Sequence, residues 1–249
     1  MLRALPPVSA APLSVQQLWW GLSSLWARTD LRVRRRKEFS AYLGIRHVYP
    51  VSSGKAAVFL ALKALQQCAP GTEVVVPAYT CFSVPSAIVK AGLRVVPCDV
   101  DPTSYDFDFV RLEQAITPKT LCIITTHLFG IPADTERIKA LAAKCGVFVI
   151  EDAAQAFGVK QGGRYLGTGG DVGIFSFGRG KQVTCGSGGL VVTGRADIAR
   201  IIDPLYEALP EESFTESVME WGLVAVMQLF LRTWLYWIPA RLPFLKLGQ

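Results

Sequence analysis

The sequence predicts an α/β protein: a mainly parallel sheet with helices on both faces. Three observations carry that reading. From about residue 48 to 200, short β-rich runs alternate with helical stretches. The β-rich runs are almost continuously apolar, as strands covered on both faces require. Hydrophobic residues make up 51% of the 249 positions and charged ones 18%, which excludes a disordered chain and allows a substantial core.

Residues 1–14 carry Pro6, Pro7 and Pro12 and no long apolar core, so they read as a flexible lead and not as a signal peptide. Residues 15–43 place Leu18, Trp19, Leu22, Leu25 and Trp26 at helical spacing, ahead of the basic run "RVRRRK". That run supplies five of the net +6 charges and leaves the rest near neutrality. It reads as a solvated helix face, and a nucleic-acid partner is not expected. The strand candidates follow: "EVVVP" (73–77), "LRVVPCDV" (93–100), "LCIITTHL" (121–128) and "GVFVIEDA" (146–153). Helical stretches at 55–67, 81–91, 108–116 and 134–145 separate them. A further β-type segment, with Ile174, Phe175 and Phe177, runs into a glycine-rich turn.

The last part differs in kind. Residues 221–248 are strongly apolar and aromatic, with Gln228, Arg232, Pro239 and Pro243 among them. The stretch approaches the length of a membrane span, but a central arginine counts against a simple span. A core or interface helix, an interfacial amphipathic helix and a span all stay open. The expected organisation is an N-terminal lead and helix (1–47), an α/β large domain (48–210) and an apolar helical segment (211–249) that begins a missing or truncated region.

Six cysteines without a CxxC pair read as reduced thiols of a cytoplasmic protein. His47 and His127 lie far apart in sequence and have no helical His or Cys companion, so no metal site is expected.

In open α/β sheets, ligands sit beyond the carboxyl ends of the strands. Four polar stretches fall there. Ser52, Ser53 and Gly54 precede a helix, where free N–H groups and the helix dipole favour an anion, or where Ser53 is simply a cap. Glu151 and Asp152 end an apolar strand, with Gln155 three residues after Asp152. Ser176 stands between two phenylalanines. Lys181 sits in a glycine-lined loop, where a desolvated amine becomes a usable nucleophile. Nucleotide motifs fail: Gln182 follows Lys181 and Ala56 follows Lys55, where a P-loop needs Ser or Thr. A phosphate-binding helix start, a strand-end aspartate and a loop lysine are together the parts of a pyridoxal-phosphate site.

With these motifs in order, the chain resembles the DegT/StrS-type family of pyridoxal-phosphate-dependent sugar aminotransferases, of fold type I, from about residue 48 to 203. The resemblance rests on "SSGKAAVFLALKAL", "EVVVPAYTCFSVPSAIVKAGLRVVPCDVDPTSYDFD", "THLFGIPADTERIKALAAKCGVFVIEDAAQAFG", "GTGGDVGIFSFGRGK" and "GGLVVT". It implies Lys181 as the Schiff-base lysine and Asp152 as partner of the pyridine nitrogen. Gln155 would lie by the ring and its phenolic oxygen; Ser53, Ser176 and the Gly54–Lys55 peptide would serve the phosphate. It also implies amino transfer, usually from glutamate, to a keto group on a nucleotide-linked sugar for surface polysaccharide or lipopolysaccharide. A homodimer is implied as well.

Two positions depart from the family's pattern. Lys55 stands where threonine is frequent. Cys81, with Tyr79 and Phe82 as neighbours, stands where an aromatic ring usually stacks on the cofactor. The family also continues into a small C-terminal domain, which this sequence does not reach. Two rivals remain: a sugar dehydratase, whose branch typically carries histidine at the lysine position, and a silent scaffold with peripheral membrane contact through 221–248.

Overall fold

The computed structural model describes residues 13–26, 31–210 and 213–230. Its helices start where the sequence offers caps. Helix α1 (Val15–Ser24) opens with a capping box, in which Ser14 Oγ accepts from Gln17 N and Gln17 Oε1 accepts from Ser14 N. The basic run lies on α2 (Leu31–Leu43). Helix α3 (Gly54–Cys68) is capped by Ser53, α5 (Phe109–Ala115) by Asp108 and α6 (Thr135–Cys145) by Asp134; α4 (Ser83–Lys90) lacks a side-chain cap. Helices α7 (Ala196–Glu207) and α8 (Phe214–Phe230) complete the set.

The strands are β1 (His47–Val51), β2 (Glu73–Pro77), β3 (Arg94–Cys98), β4 (Thr120–Thr126), β5 (Phe148–Asp152), the short hairpin β6 (Lys160–Gln161) and β7 (Arg164–Tyr165), β8 (Val172–Ser176) and β9 (Gly189–Thr193). Seven form one sheet in the order β1-β9-β8-β5-β4-β2-β3. From β3 to β8 every pairing is parallel; β9 runs antiparallel to both β8 and β1. The mainly parallel sheet is therefore as expected, with an antiparallel flank. β1 is an edge strand, which explains how it tolerates Pro50.

The chain falls into two compact units. The larger, Arg32–Ser176 with Gly188–Leu209, holds the sheet. One face packs against α3, α4 and α7 through Leu62, Leu65, Ile88, Ile124, Ile150, Ile174 and Ile198. The other packs against α5 and α6 through Val75, Ile123, Val149, Leu112 and Ile138. Each fully buried Leu or Ile contributes about 1.5–3 kcal/mol, so this double cover dominates the unit's stability. Alternation along β5 fixes the site: Ile150 and Asp152 face α3, while Val149 and Glu151 face α6.

The basic run is largely a solvated face, with Arg34, Arg35 and Lys37 exposed and Arg32 and Arg36 partly covered. Arg36 stacks over Tyr49, 4.9 Å from the ring centroid, and lies 3.6 Å from Asp203; Arg34 pairs with Glu38 at 2.8 Å.

The smaller unit comprises the described residues of Met1–Leu31, Phe177–Ser187 and Pro210–Gln249. There Trp221 Nε1 donates to Leu18 O at 3.0 Å, Leu13 N donates to Gln228 Oε1 at 2.9 Å, and Trp26 meets Phe214 edge-on. No helix among the described residues is long and apolar enough to cross a membrane. The part of the 221–248 segment after Phe230 lies outside the described residues.

Candidate active site

The first turn of α3 is built around a glycine. A Cβ at Gly54 would stand 2.8 Å from Ser176 Cβ and 3.0 Å from Ser176 Oγ. Ser176 therefore sits directly against the start of the helix, its hydroxyl beside the Gly54 backbone. Gly189 repeats the device from β9: its Cβ would strike the Ser53 carbonyl and the Gly54 nitrogen within 2.8 Å. Ser53 Oγ accepts from Ala56 N at 3.1 Å, which leaves the N–H groups of Gly54 and Lys55 at the positive end of a 15-residue helix. The Lys55 side chain is exposed.

Asp152 ends β5, buried on the α3 face, with Oδ1 accepting from Ala154 N at 3.0 Å. Its register partner on β4, Thr126, has a buried hydroxyl without a hydrogen-bond partner. Gln155 follows in the turn after β5, and its Oε1 accepts from Phe129 N at 2.9 Å. Phe129 belongs to the loop after β4 and holds a left-handed backbone, φ 56°, despite being a phenylalanine. Tyr105, at φ 61°, meets its ring edge-on. No sequence pattern announces either conformation.

On the opposite face, Glu151 is buried beside His127, with Oε2 accepting from Gly169 N at 3.0 Å and lying 3.8 Å from His127 Nε2. His127 Nδ1 accepts from Ala133 N, so the ring proton sits on Nε2, toward the carboxylate. Burial alone would raise the Glu151 carboxyl, but the imidazole and the Gly169 N–H together hold it below the ordinary carboxylate value. His127 stands outside the sequence candidates for the site, and Glu151 enters them only as the strand-end carboxylate next to Asp152; the buried pair supports the strand end from behind.

Cys81 is exposed at the foot of α4, with Ser83 Oγ 3.1 Å from its sulfur. Tyr79 is 57% and Phe82 81% exposed, an unusual pair of open aromatics at a strand's carboxyl end.

Lys181 lies in the loop 177–187 of the smaller unit and is half-buried. Its N–H donates to Gly178 O at 3.0 Å, closing a tight turn. Thr184 Oγ1 donates to Phe177 O at 3.0 Å, and Ser187 Oγ hydrogen-bonds Glu220 on α8. Gly186 takes φ +91°, and a Cβ there would collide with Val224. The structure thus brings Ser53, Gly54, Asp152, Gln155 and Ser176 to one end of the sheet in one unit. Lys181 follows five residues after Ser176.

The mainly parallel sheet with helices on both faces matches the fold of fold-type I aminotransferases. The profile of the DegT/DnrJ/EryC1/StrS aminotransferase family matches residues 16–210, and the chain belongs to that family. A UDP-N-acetyl-3-dehydro-alpha-D-glucosamine 3-aminotransferase from Acidithiobacillus ferrooxidans is 43% identical over 164 residues, covering 66% of this chain and 44% of that protein. The sugar aminotransferase CalS13 from Micromonospora echinospora superposes with a TM-score of 0.72 at 30% identity, over 80% of this chain and 56% of its own. A GDP-4-keto-6-deoxymannose-3-dehydratase shares the fold, with a TM-score of 0.73 at 22% identity over 90% of this chain and 68% of its own. The chain spans about half the length of the curated relatives it matches.

The family's cofactor is pyridoxal 5'-phosphate. Two features of the larger unit fit it. A 15-residue helix begins beside the Ser176 hydroxyl, and its first-turn N–H groups suit an anion there. Next to Asp152, the orphaned Thr126 hydroxyl marks a buried polar position on the same face of the sheet.

Proposed function

We propose that this chain is the cofactor-binding large domain of an aminotransferase that places an amino group on a keto sugar linked to a nucleotide. Surface polysaccharide or lipopolysaccharide synthesis is the setting we assign it. The observation that carries the proposal is the cradle of Gly54 and Ser176 at the α3 terminus, with Asp152 on the same face of the same sheet. The amino donor is a simple amino acid such as glutamate, the assembly a homodimer and the compartment the cytoplasm.

In this reading Ser53, Ser176 and the N–H groups of Gly54 and Lys55 bind the phosphate as an anion at a helix start. Asp152 holds a proton on the ring nitrogen, and Gln155 donates to the phenolic oxygen. Cys81 and its aromatic neighbours cover the ring's open face. When bound, the cofactor supplies an aldehyde for amine exchange and a ring that stores the electrons of a broken C–H bond. Lys181 Nζ would anchor the cofactor at rest, and the same amine, when free, would move the proton between the substrate carbon and the cofactor. A lysine here, and not a histidine, favours amino transfer over dehydration.

The test is a half-reaction. Protein loaded with pyridoxal 5'-phosphate is mixed with glutamate, and 2-oxoglutarate is counted against the bleaching of the visible band. One equivalent of keto acid per bound cofactor is expected, and a nucleotide-linked keto sugar should restore the band. A stable band that no amino donor bleaches would favour the silent scaffold.

A further inference from the structure

The loop that follows β4 touches both candidate ring partners. His127 N donates to the Asp152 carbonyl at 3.0 Å, and Ala133 N closes the loop onto His127 Nδ1 at 3.1 Å. Between these ties, Phe129 N donates to Gln155 Oε1 at 2.9 Å. The N–H reaches that oxygen from a left-handed backbone (φ 56°, ψ 17°) that a phenylalanine rarely adopts, although Gly130 stands next in the chain. The Phe129 ring is 60% exposed, so deep burial does not offset the strain. Strain retained at a strand end, in contact with a candidate site residue, points to use.

We propose that Phe129 is a positioning residue whose left-handed N–H selects the orientation of the Gln155 amide. An amide offers one accepting and one donating pole. With the carbonyl turned to the Phe129 N–H, the NH2 group is turned the other way, and in the proposed site it is the pole that meets the cofactor. A phenolic oxygen needs that donor; a flipped amide would set oxygen against oxygen. Tyr105, itself left-handed, braces the Phe129 ring edge-on at 6.0 Å. The inference rests on the proposed place of Gln155 beside the phenolic oxygen.

The test separates backbone from ring. Phe129→Gly and Phe129→Asn accept a left-handed backbone, whereas Phe129→Val resists it; all three lose the ring. Each intact chain is loaded with pyridoxal 5'-phosphate, and the pH midpoint of the visible band is titrated beside Gln155→Ala. The Gly and Asn variants should keep the parent midpoint. The Val variant should shift it in the direction of Gln155→Ala by about half to one pH unit, with no further shift when the two changes are combined. A merely structural loop would lower the melting temperature of the Val variant and leave its midpoint alone. Should Phe129→Val fail to fold, Phe129→Ala is titrated instead, with a smaller shift of the same sign expected. A Val or Ala midpoint equal to the parent's, or equal shifts in all the variants, overturns the positioning role while Gln155→Ala still reports on the site. If the parent binds no cofactor, or Gln155→Ala leaves the midpoint unmoved, the reading beneath fails and this inference with it.

Discussion

Replacing Gly54 by alanine should damage stability and cofactor binding together, for one geometric reason. The new Cβ would approach Ser176 Cβ to 2.8 Å, closer than real Cβ contacts allow, and Ser176 Oγ to 3.0 Å, a tight contact. Removing a helical glycine normally stabilises by about 0.5–1 kcal/mol. Overpacking at a tight contact costs about 1–3 kcal/mol, and Ser176 is held in β8 with little room to retreat. The clash should win by about 1–2 kcal/mol, a fall of roughly 2–8 °C in Tm for a domain of this size. A displaced Ser176 hydroxyl forfeits a hydrogen bond to a charged group, worth about 1.5–3 kcal/mol, so pyridoxal 5'-phosphate should bind about ten- to a hundredfold more weakly. Thermal melts and titration of the visible band measure the two effects. Adding Ser176→Gly removes both crowding atoms, so Tm should recover while affinity stays low. A Gly54→Ala protein that melts early yet binds the cofactor as tightly as its parent would refute the cradle.

Asp152→Asn should keep the fold and bind cofactor, but slow amino transfer at least about a hundredfold in stopped-flow half-reactions; near-parent rates would remove the aspartate from the chemistry. The Glu151 carboxyl is held below its ordinary value in the fold, so its contribution is complete above the unfolded value near 4.5 and is lost as pH falls through the lower folded one. Urea melts should therefore show Glu151→Gln weaker than parent at pH 7, with the gap closing below about pH 4; parallel stabilities would deny the pair its role. Gly186→Ala forces a side chain into a left-handed residue against Val224, so trypsin should cut after Lys181 faster than in the parent.

The parallel strands were legible because their chemistry is local: "EVVVP" and "LCIITT" are rich in β-branched residues without strict apolar–polar alternation, as strands buried on both faces are. The first helix of the large domain was equally plain, since Ser53 caps it and seven of its residues are buried. The antiparallel flank was not legible. Nothing in "HVYPV" tells that it pairs with residues 189–193, because that partner is set by a contact far away in sequence. The basic run reads correctly as a solvated helix face, but the tie of Arg36 to Tyr49 and Asp203, residues from two other elements, was not legible for the same reason. Residues 15–43 read as one helical stretch, whereas two separate helices, Val15–Ser24 and Leu31–Leu43, are described there. Among the proposed site residues, Gly54, Asp152 and Ser176 were singled out through motif order, and the fold places them at one sheet end. Phe129 escaped, as did the pairing of Glu151 with His127, because backbone strain and a buried contact leave no compositional mark.

The central claim is that Lys181 carries the cofactor. Borohydride reduction of the protein loaded with pyridoxal 5'-phosphate, followed by peptide mapping, tests it most directly. One phosphopyridoxyl group per chain should be found on residue 181, absent from Lys181→Ala. An adduct confined to Lys55, or spread over exposed lysines, would contradict the account.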